Sequence, residues 1–196
     1  MRRAIAAMFL VTGLGACTTL GALTGGGGSE SAASATAATA AAAAPVEPSA
    51  AAQTSHYVLP ETERLRIVRL EAAALPDGRT VEQIDLGRGF MVIESLPGDA
   101  AFKPFPHDAF LPAADAVIAR NSDGSLHRSS DGYADGINWA LYQGTSVCLF
   151  AQGAFGPDTP NGKQHAFRLL LCDAYDANPG FVRDEGLTFL RGVQPR

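Results

Sequence analysis

The chain has 196 residues, 46% hydrophobic and 18% charged, with 15 basic against 20 acidic side chains. That length allows one ordinary domain, or one domain with tails. The acidic balance argues against a surface built to grip nucleic acid, which carries a basic surplus. The averages conceal an uneven chain, because the only Trp, all four Tyr and nine of the ten Phe lie after residue 54.

The N-terminus reads as an export signal. Arg2 and Arg3 give a positive start, and Ala4 to Gly13 form an apolar stretch. That stretch falls well short of the roughly 20 residues a membrane-spanning helix needs. It fits the hydrophobic region of a secretory leader. Leu14-Gly15-Ala16-Cys17 then resembles the bacterial lipobox, in which an aliphatic and two small residues precede the Cys that becomes the mature N-terminus. The resemblance implies removal of residues 1–16, a diacylglyceryl thioether on Cys17 and an acylated amine; the alternative is an ordinary leader with an incidental Cys. Several acyl chains on one residue anchor stably, where one chain binds only marginally. Thr18 stands where an inner-membrane retention signal has Asp, so the expected address is the outer membrane, facing the periplasm. Without the leader, 13 basic and 20 acidic residues leave a net charge of −7, so attraction to anionic lipid is not the anchor.

Residues 17–54 read as the lipidated Cys and a disordered tether. A four-Gly run at 25–28, an Ala/Ser/Thr tract and Pro45-Val46-Glu47-Pro48 offer no charge pairs and no amphipathic face. Alanine favours helix, but without a face to dock such a tract stays open. A flexible linker of this size has an r.m.s. span of roughly 35 Å, and about 120–130 Å when fully extended. The Gly run is no phosphate loop, since no Lys-Ser/Thr follows it.

The folded domain is expected over 55–196. Leu65 to Leu70 reads as a strand that runs into Glu71 and weakens at Ala72-Ala73-Ala74. Pro76-Asp77-Gly78 supplies a turn, Thr80 to Leu86 a second strand, and Phe90 to Ile93 a third, ending at Pro97-Gly98. Phe102, Phe105 and Phe110 alternate with prolines, which predicts an irregular covering segment, with one or two helical turns at Ala113–Ala119. Asn121 to Gly124 and Ser130-Asp131-Gly132 read as turns. Asp131, Asp135 and Asn138 supply oxygens near glycines, but lack the alternating ligands and closing Glu of a calcium loop.

Ser146 to Gln152 and His165 to Cys172 read as strands around a polar loop. A hairpin centred on Pro160 sets Phe155 opposite His165 and Cys148 opposite Cys172. Opposed residues in an antiparallel pair lie about 4.5–5.5 Å apart at Cα, within disulfide range, and an oxidising compartment would close that bond. The alternative is two free buried thiols. Asn178-Pro179 marks a helix start, with Asn as cap and Pro at the first position. Val182, Phe189, Leu190 and Val193 share a face, while Gly186 weakens the helix. The sum is an α+β domain, mainly antiparallel sheet with a short C-terminal helix.

Catalytic signatures are sparse. The chain has no Gly-x-Ser-x-Gly elbow, no His-Glu-x-x-His and no Cys-x-x-Cys, and its four His are scattered without zinc-ligand spacing. No catalytic residue, metal or cofactor is assigned. A hydrolase built on Ser129 or Ser130 with His127 is the weakest of the readings. Tyr133, Trp139 and Tyr142 cluster in sequence and are candidates for stacking on sugar rings, with core packing as the plainer reading.

The segment Ser146-Val-Cys-Leu-Phe-Ala-Gln152, the polar loop, Phe167-Arg-Leu-Leu-Leu-Cys172 and the final helix together resemble the C-terminal part of the BcsN family. Thr80-Val-Glu-Gln-Ile84 is similar to a segment in that family's N-terminal half. These are accessory proteins of cellulose biosynthesis, commonly lipoproteins. The resemblance implies a non-catalytic role in assembling or exporting an extracellular polysaccharide, with protein partners in an envelope complex and Cys148 and Cys172 as structural positions. Binding of glycan or peptidoglycan is the alternative, and a small envelope hydrolase the second.

Overall fold

The computed structural model describes residues 49–196 apart from Asp123 and Tyr175. The expected leader, Cys17 and the tether up to residue 48 lie outside the described residues. Among those described, no helix is long and apolar enough to cross a membrane.

Regular structure is present within residues 49–54, which composition assigns to the tether. Ala50–Thr54 is a helical turn, α1, whose cap Ser49 accepts a hydrogen bond from the Ala52 backbone N–H at 3.1 Å. Composition alone pointed to tether, but Ala52 is only 2% exposed against the core. The Arg196 guanidinium donates to the Ala52 and Gln53 carbonyls, closing the other end of the turn. Tertiary contacts thus supply what an isolated Ala run lacks. β1 (Tyr57–Val58) pairs with β9 (Gln194–Pro195) and joins the two ends of the domain.

Seven further strands form one antiparallel sheet in the order β2-β3-β4-β8-β7-β6-β5. They are β2 (Arg69–Ala74), β3 (Thr80–Asp85), β4 (Gly89–Ser95), β5 (His127–Ala134), β6 (Ile137–Gln143), β7 (Ser146–Thr159) and β8 (Gly162–Ala174). Two meanders, β2–β4 and β5–β8, meet where β4 pairs β8. α2 (His107–Asn121) carries the chain across one face, and α3 (Pro179–Gly192) covers the other. Burial on both sides explains why β7 reads as an unbroken apolar run rather than an alternating one. Val147, Leu149 and Ala151 face α3, while Cys148 and Phe150 face α2.

The antiparallel sheet and the C-terminal helix agree with the expected fold class; several local expectations change. The first strand starts at Arg69, not Leu65, because its pairing ends at Arg69 opposite Asp85. Leu65 and Ile67 are buried from a loop instead. The Glu61 carboxylate shapes that loop by accepting from the Ile67 and Ser49 backbone N–H groups. Burial alone would raise its pKa, but these bonds and Arg66 hold it below the usual carboxylate range. Ala72–Ala74 do not weaken the strand: on an edge its backbone pairing suffices. α2 has 15 residues rather than one or two turns, and accommodates Pro112 internally. Ser130-Asp131-Gly132 lies within β5; the turn is Asp135-Gly136, at φ 53° and 80°. That is the two-residue hairpin geometry in which Asp-Gly excels.

The long hairpin holds the predicted register, Phe155 opposite His165 and Cys148 opposite Cys172, although its tip is the two-residue Pro160-Asn161 turn. A bulge between Phe155 and Asp158, with Gly156 at φ 91°, absorbs the difference. In α3, the Asn178 side chain accepts from the Gly180 and Phe181 N–H groups, the expected cap. Gly186 proves to be a packing requirement: a Cβ there would lie 2.3 Å from Leu149 Cδ2.

Candidate functional site

Cys148 and Cys172 are direct partners across β7 and β8, with Cα atoms 4.1 Å apart and the sulfurs bonded. The bridge lies on the α2 face, in contact with the smaller apolar cluster of Phe110, Ala114, Ile118, Phe150 and Leu170. Cys17, the expected lipid site, lies outside the described residues.

The three aromatics proposed for sugar stacking are not brought into one platform. Tyr133 is 62% exposed on the edge strand β5. Trp139 faces the other side of the sheet, its ring lying over Gly132, where a Cβ would come within 2.7 Å. Arg183 sits 5.5 Å from its ring centre. Tyr142 is 2% exposed beneath α2 and donates to Asp115 Oδ1 at 2.7 Å. Burial and the adjacent Asp115 raise its pKa well above the ordinary phenol value.

The serines near His127 do not form a dyad with it. Ser129 Oγ donates to the Leu141 carbonyl and accepts from Gln143 Nε2 at 2.9 Å. Among the described residues, His127 has no hydrogen bond to Ser129 or Ser130. The oxygens considered for calcium are also engaged, Asp131 with His107, Asp135 with Arg191 and Asn138 Oδ1 with His107, while the Asn138 amide nitrogen donates to the Phe105 carbonyl. Among the described residues no three His, Cys, Asp or Glu side chains form a metal cluster.

Two polar clusters emerge that the sequence does not announce. On the α3 face, pairing of β4 with β8 sets Ser95 opposite His165, and Ser95 Oγ meets His165 Nδ1 at 2.8 Å. Tyr57 closes the group from β1, bonding Ser95 and lying 3.3 Å from His165 Nδ1. Burial lowers the His165 pKa and favours the neutral imidazole. Burial likewise raises the Tyr57 phenol, helped by the nearby Glu82 charge and opposed by the Ser95 bond. Glu82, itself buried, accepts from Ser55 Oγ and the His56 N–H and bonds the His56 ring. A nucleophile would need an oxyanion pocket and an orienting acid beyond this pair. Among the described residues, the Nδ1 edge faces Ser95 and Tyr57. The second cluster, around His107 at the start of α2, joins Asn138 and Asp131.

A crevice of about 290 Å³ opens where the β7–β8 hairpin runs past the end of α3. Phe155, Phe167, Ile137 and Leu190 form its apolar wall, and Lys163, Arg191 and Asp135 its rim. Both cations are already paired, Lys163 with Asp158 and Arg191 with Asp135.

The fold and its sites define a class: an antiparallel sheet between two helices that cover apolar clusters of unequal size, stapled by a cross-strand disulfide. No family model, no curated protein and no solved structure matches this chain.

Proposed function

We propose that the protein is a lipid-anchored envelope lipoprotein, facing the periplasm from the outer membrane, with a non-catalytic accessory role in exopolysaccharide assembly or export. The observation that carries this reading is the Cys148–Cys172 bridge. Structural disulfides persist in oxidising compartments and are rare in the cytosol. That is the compartment to which a leader ending at Cys17 would deliver the domain. The same two cysteines are the sharpest element of the likeness to the cellulose-accessory family. A contact role is further supported by Ser129, Asp131, Asp135 and Asn138, whose side chains are engaged in bonds that hold strands and helix ends.

The test is genetic and chemical together. Deleting the gene should reduce secreted polymer, and full-length protein should restore it. Photo-crosslinkers placed at exposed Tyr133 and Phe181 should capture specific envelope proteins in living cells. Undiminished polymer in the deletion would overturn the exopolysaccharide role.

The crevice favours one second reading, a glycan-binding module that uses Phe155 as floor and Lys163 and Arg191 as hydroxyl donors. Glycan pull-down with Lys163→Ala and Arg191→Ala tests it; equal retention by wild type and both variants would remove it.

A further inference from the structure

His107 is the first residue of α2, and both of its ring nitrogens face oxygen acceptors. Nδ1 lies 2.8 Å from Asn138 Oδ1, and Nε2 lies 3.1 Å from Asp131 Oδ2. The Asn138 orientation is not free, because its amide nitrogen donates to the Phe105 carbonyl at 2.8 Å. Asn138 is 1% exposed, so no bulk water can take the place of a lost partner. A carboxylate only accepts, and a neutral imidazole has one donor and one acceptor nitrogen. Two acceptors are both satisfied only when the ring offers two donors, which is the imidazolium form.

The local sequence makes this clasp matter. A cation at a helix N-terminus is opposed by the helix dipole; Asp108 in the first turn and Asp131 on β5 offset it. The cap position is Pro106, which supplies no side-chain hydrogen bond, and Pro112 removes one backbone donor from the second turn. Few other polar bonds hold the start of α2. The ring also stacks on Phe110, at 5.9 Å between centres, and Phe110 stacks on Phe150 beside the disulfide.

We propose that His107 is a proton-operated clasp that pins the start of α2, and the 105–106 strap before it, to β5 and β6 over the disulfide-bearing face. When the ring loses a proton, one nitrogen becomes an acceptor set against an acceptor. The first turns of α2 then lift, and the face carrying Cys148–Cys172 becomes accessible. The groups around the ring agree on the sign. Asp131 from β5 and Asp108 from α2 favour the cation, and Asn138 from β6 bonds it. Farther along, Arg128 is paired with Asp115, which also takes the Tyr142 hydroxyl. The bonds from Asp131 and then Asn138 raise the His107 pKa above its ordinary value. A raised value means stability fully present below about pH 6.5 and lost as pH rises through the folded value.

The experiment is hydrogen exchange on the full-length protein across pH 6 to 9, corrected for intrinsic rates, reading peptides of α2 against those of α3. Deprotonation sets an Nε2 lone pair against the Asp131 carboxylate and weakens the hold on the first turns of α2 by roughly fivefold. Protection over 108–114 should therefore fall at least about fivefold as pH rises, with α3 unchanged, and His107→Gln should abolish the dependence. Constant protection in wild type, or the same dependence in His107→Gln, overturns the clasp. Should that variant not fold, nitrogen NMR of the wild-type ring decides. Two protonated nitrogens at pH 7 support the proposal, and a neutral tautomer overturns it.

Discussion

The two faces of the sheet are held by different physics. Against α3 lies the larger cluster, with Leu149, Leu169, Leu171 and Val182 fully buried and the helix drawn close at Gly186. Against α2 the cluster is smaller, and specific bonds supplement it: the disulfide, Tyr142 to Asp115, and His107 to Asn138 and Asp131. Packing tolerates changes of pH and redox state; bonds to titratable groups and sulfur do not. Both faces carry titratable bonds, Tyr57–Ser95–His165 on the α3 side and His107 on the α2 side, but the disulfide lies on the α2 side beneath the thinner cover.

Neighbouring leucines give the sharpest contrast. Leu169→Ala opens the α3 face at a site of 0% exposure, and should cost about 3–5 kcal/mol in urea unfolding. Leu170→Ala, one residue on and facing α2, should cost nearer 2–3 kcal/mol because the thinner cover relaxes into the space. Equal losses would erase the distinction between the faces. Replacing both Cys148 and Cys172 with Ala should cost about 3 kcal/mol, for the loop of sequence separation 24 that the bridge closes. A negligible loss would mean that the bridge is incidental to the fold. Tyr142→Phe leaves the ring in place but removes the bond to Asp115, and should cost about 1 kcal/mol.

The smallest effect concerns pH, and its sign differs between faces. His165, on the α3 face, has a lowered pKa through burial. Its contribution is present above the ordinary value near 6.5 and is lost as pH falls through the lower folded value. His107, on the α2 face, behaves in the opposite sense. His165→Asn should flatten the acid limb of the stability profile and His107→Gln the limb above neutrality. One variant altering both limbs would contradict the separation.

Much of this was legible in the sequence, and the exceptions have physical causes. The Cys148–Cys172 register followed from arithmetic on one hairpin, which survived because the Gly156 bulge offset the position of the turn. The Asn178 cap was readable because capping is local. α1 was missed because Ala52 is helical through contacts with residues far along the chain, Arg196 among them. α2 was underestimated because its prolines at 106 and 112 look like breakers, although a Pro before the first turn costs nothing and the one inside is offset by packing of Phe110, Ala114 and Ile118. The Asp135-Gly136 hairpin does carry a signal, an Asp-Gly pair before an apolar run, but the Asp131-Gly132 pair a few residues earlier competes with it. Neither polar cluster could be read in advance. Ser95 and His165 are 70 residues apart and meet only through the β4–β8 pairing, and His107 meets Asn138 only once α2 crosses the sheet.

The proposal of an exported domain anchored through Cys17 is tested most directly by fractionating cells that carry wild-type or Cys17→Ser protein. Wild type is expected in the outer-membrane fraction and Cys17→Ser in the soluble periplasm. Retention of Cys17→Ser in the membrane fraction, at wild-type level, would contradict it.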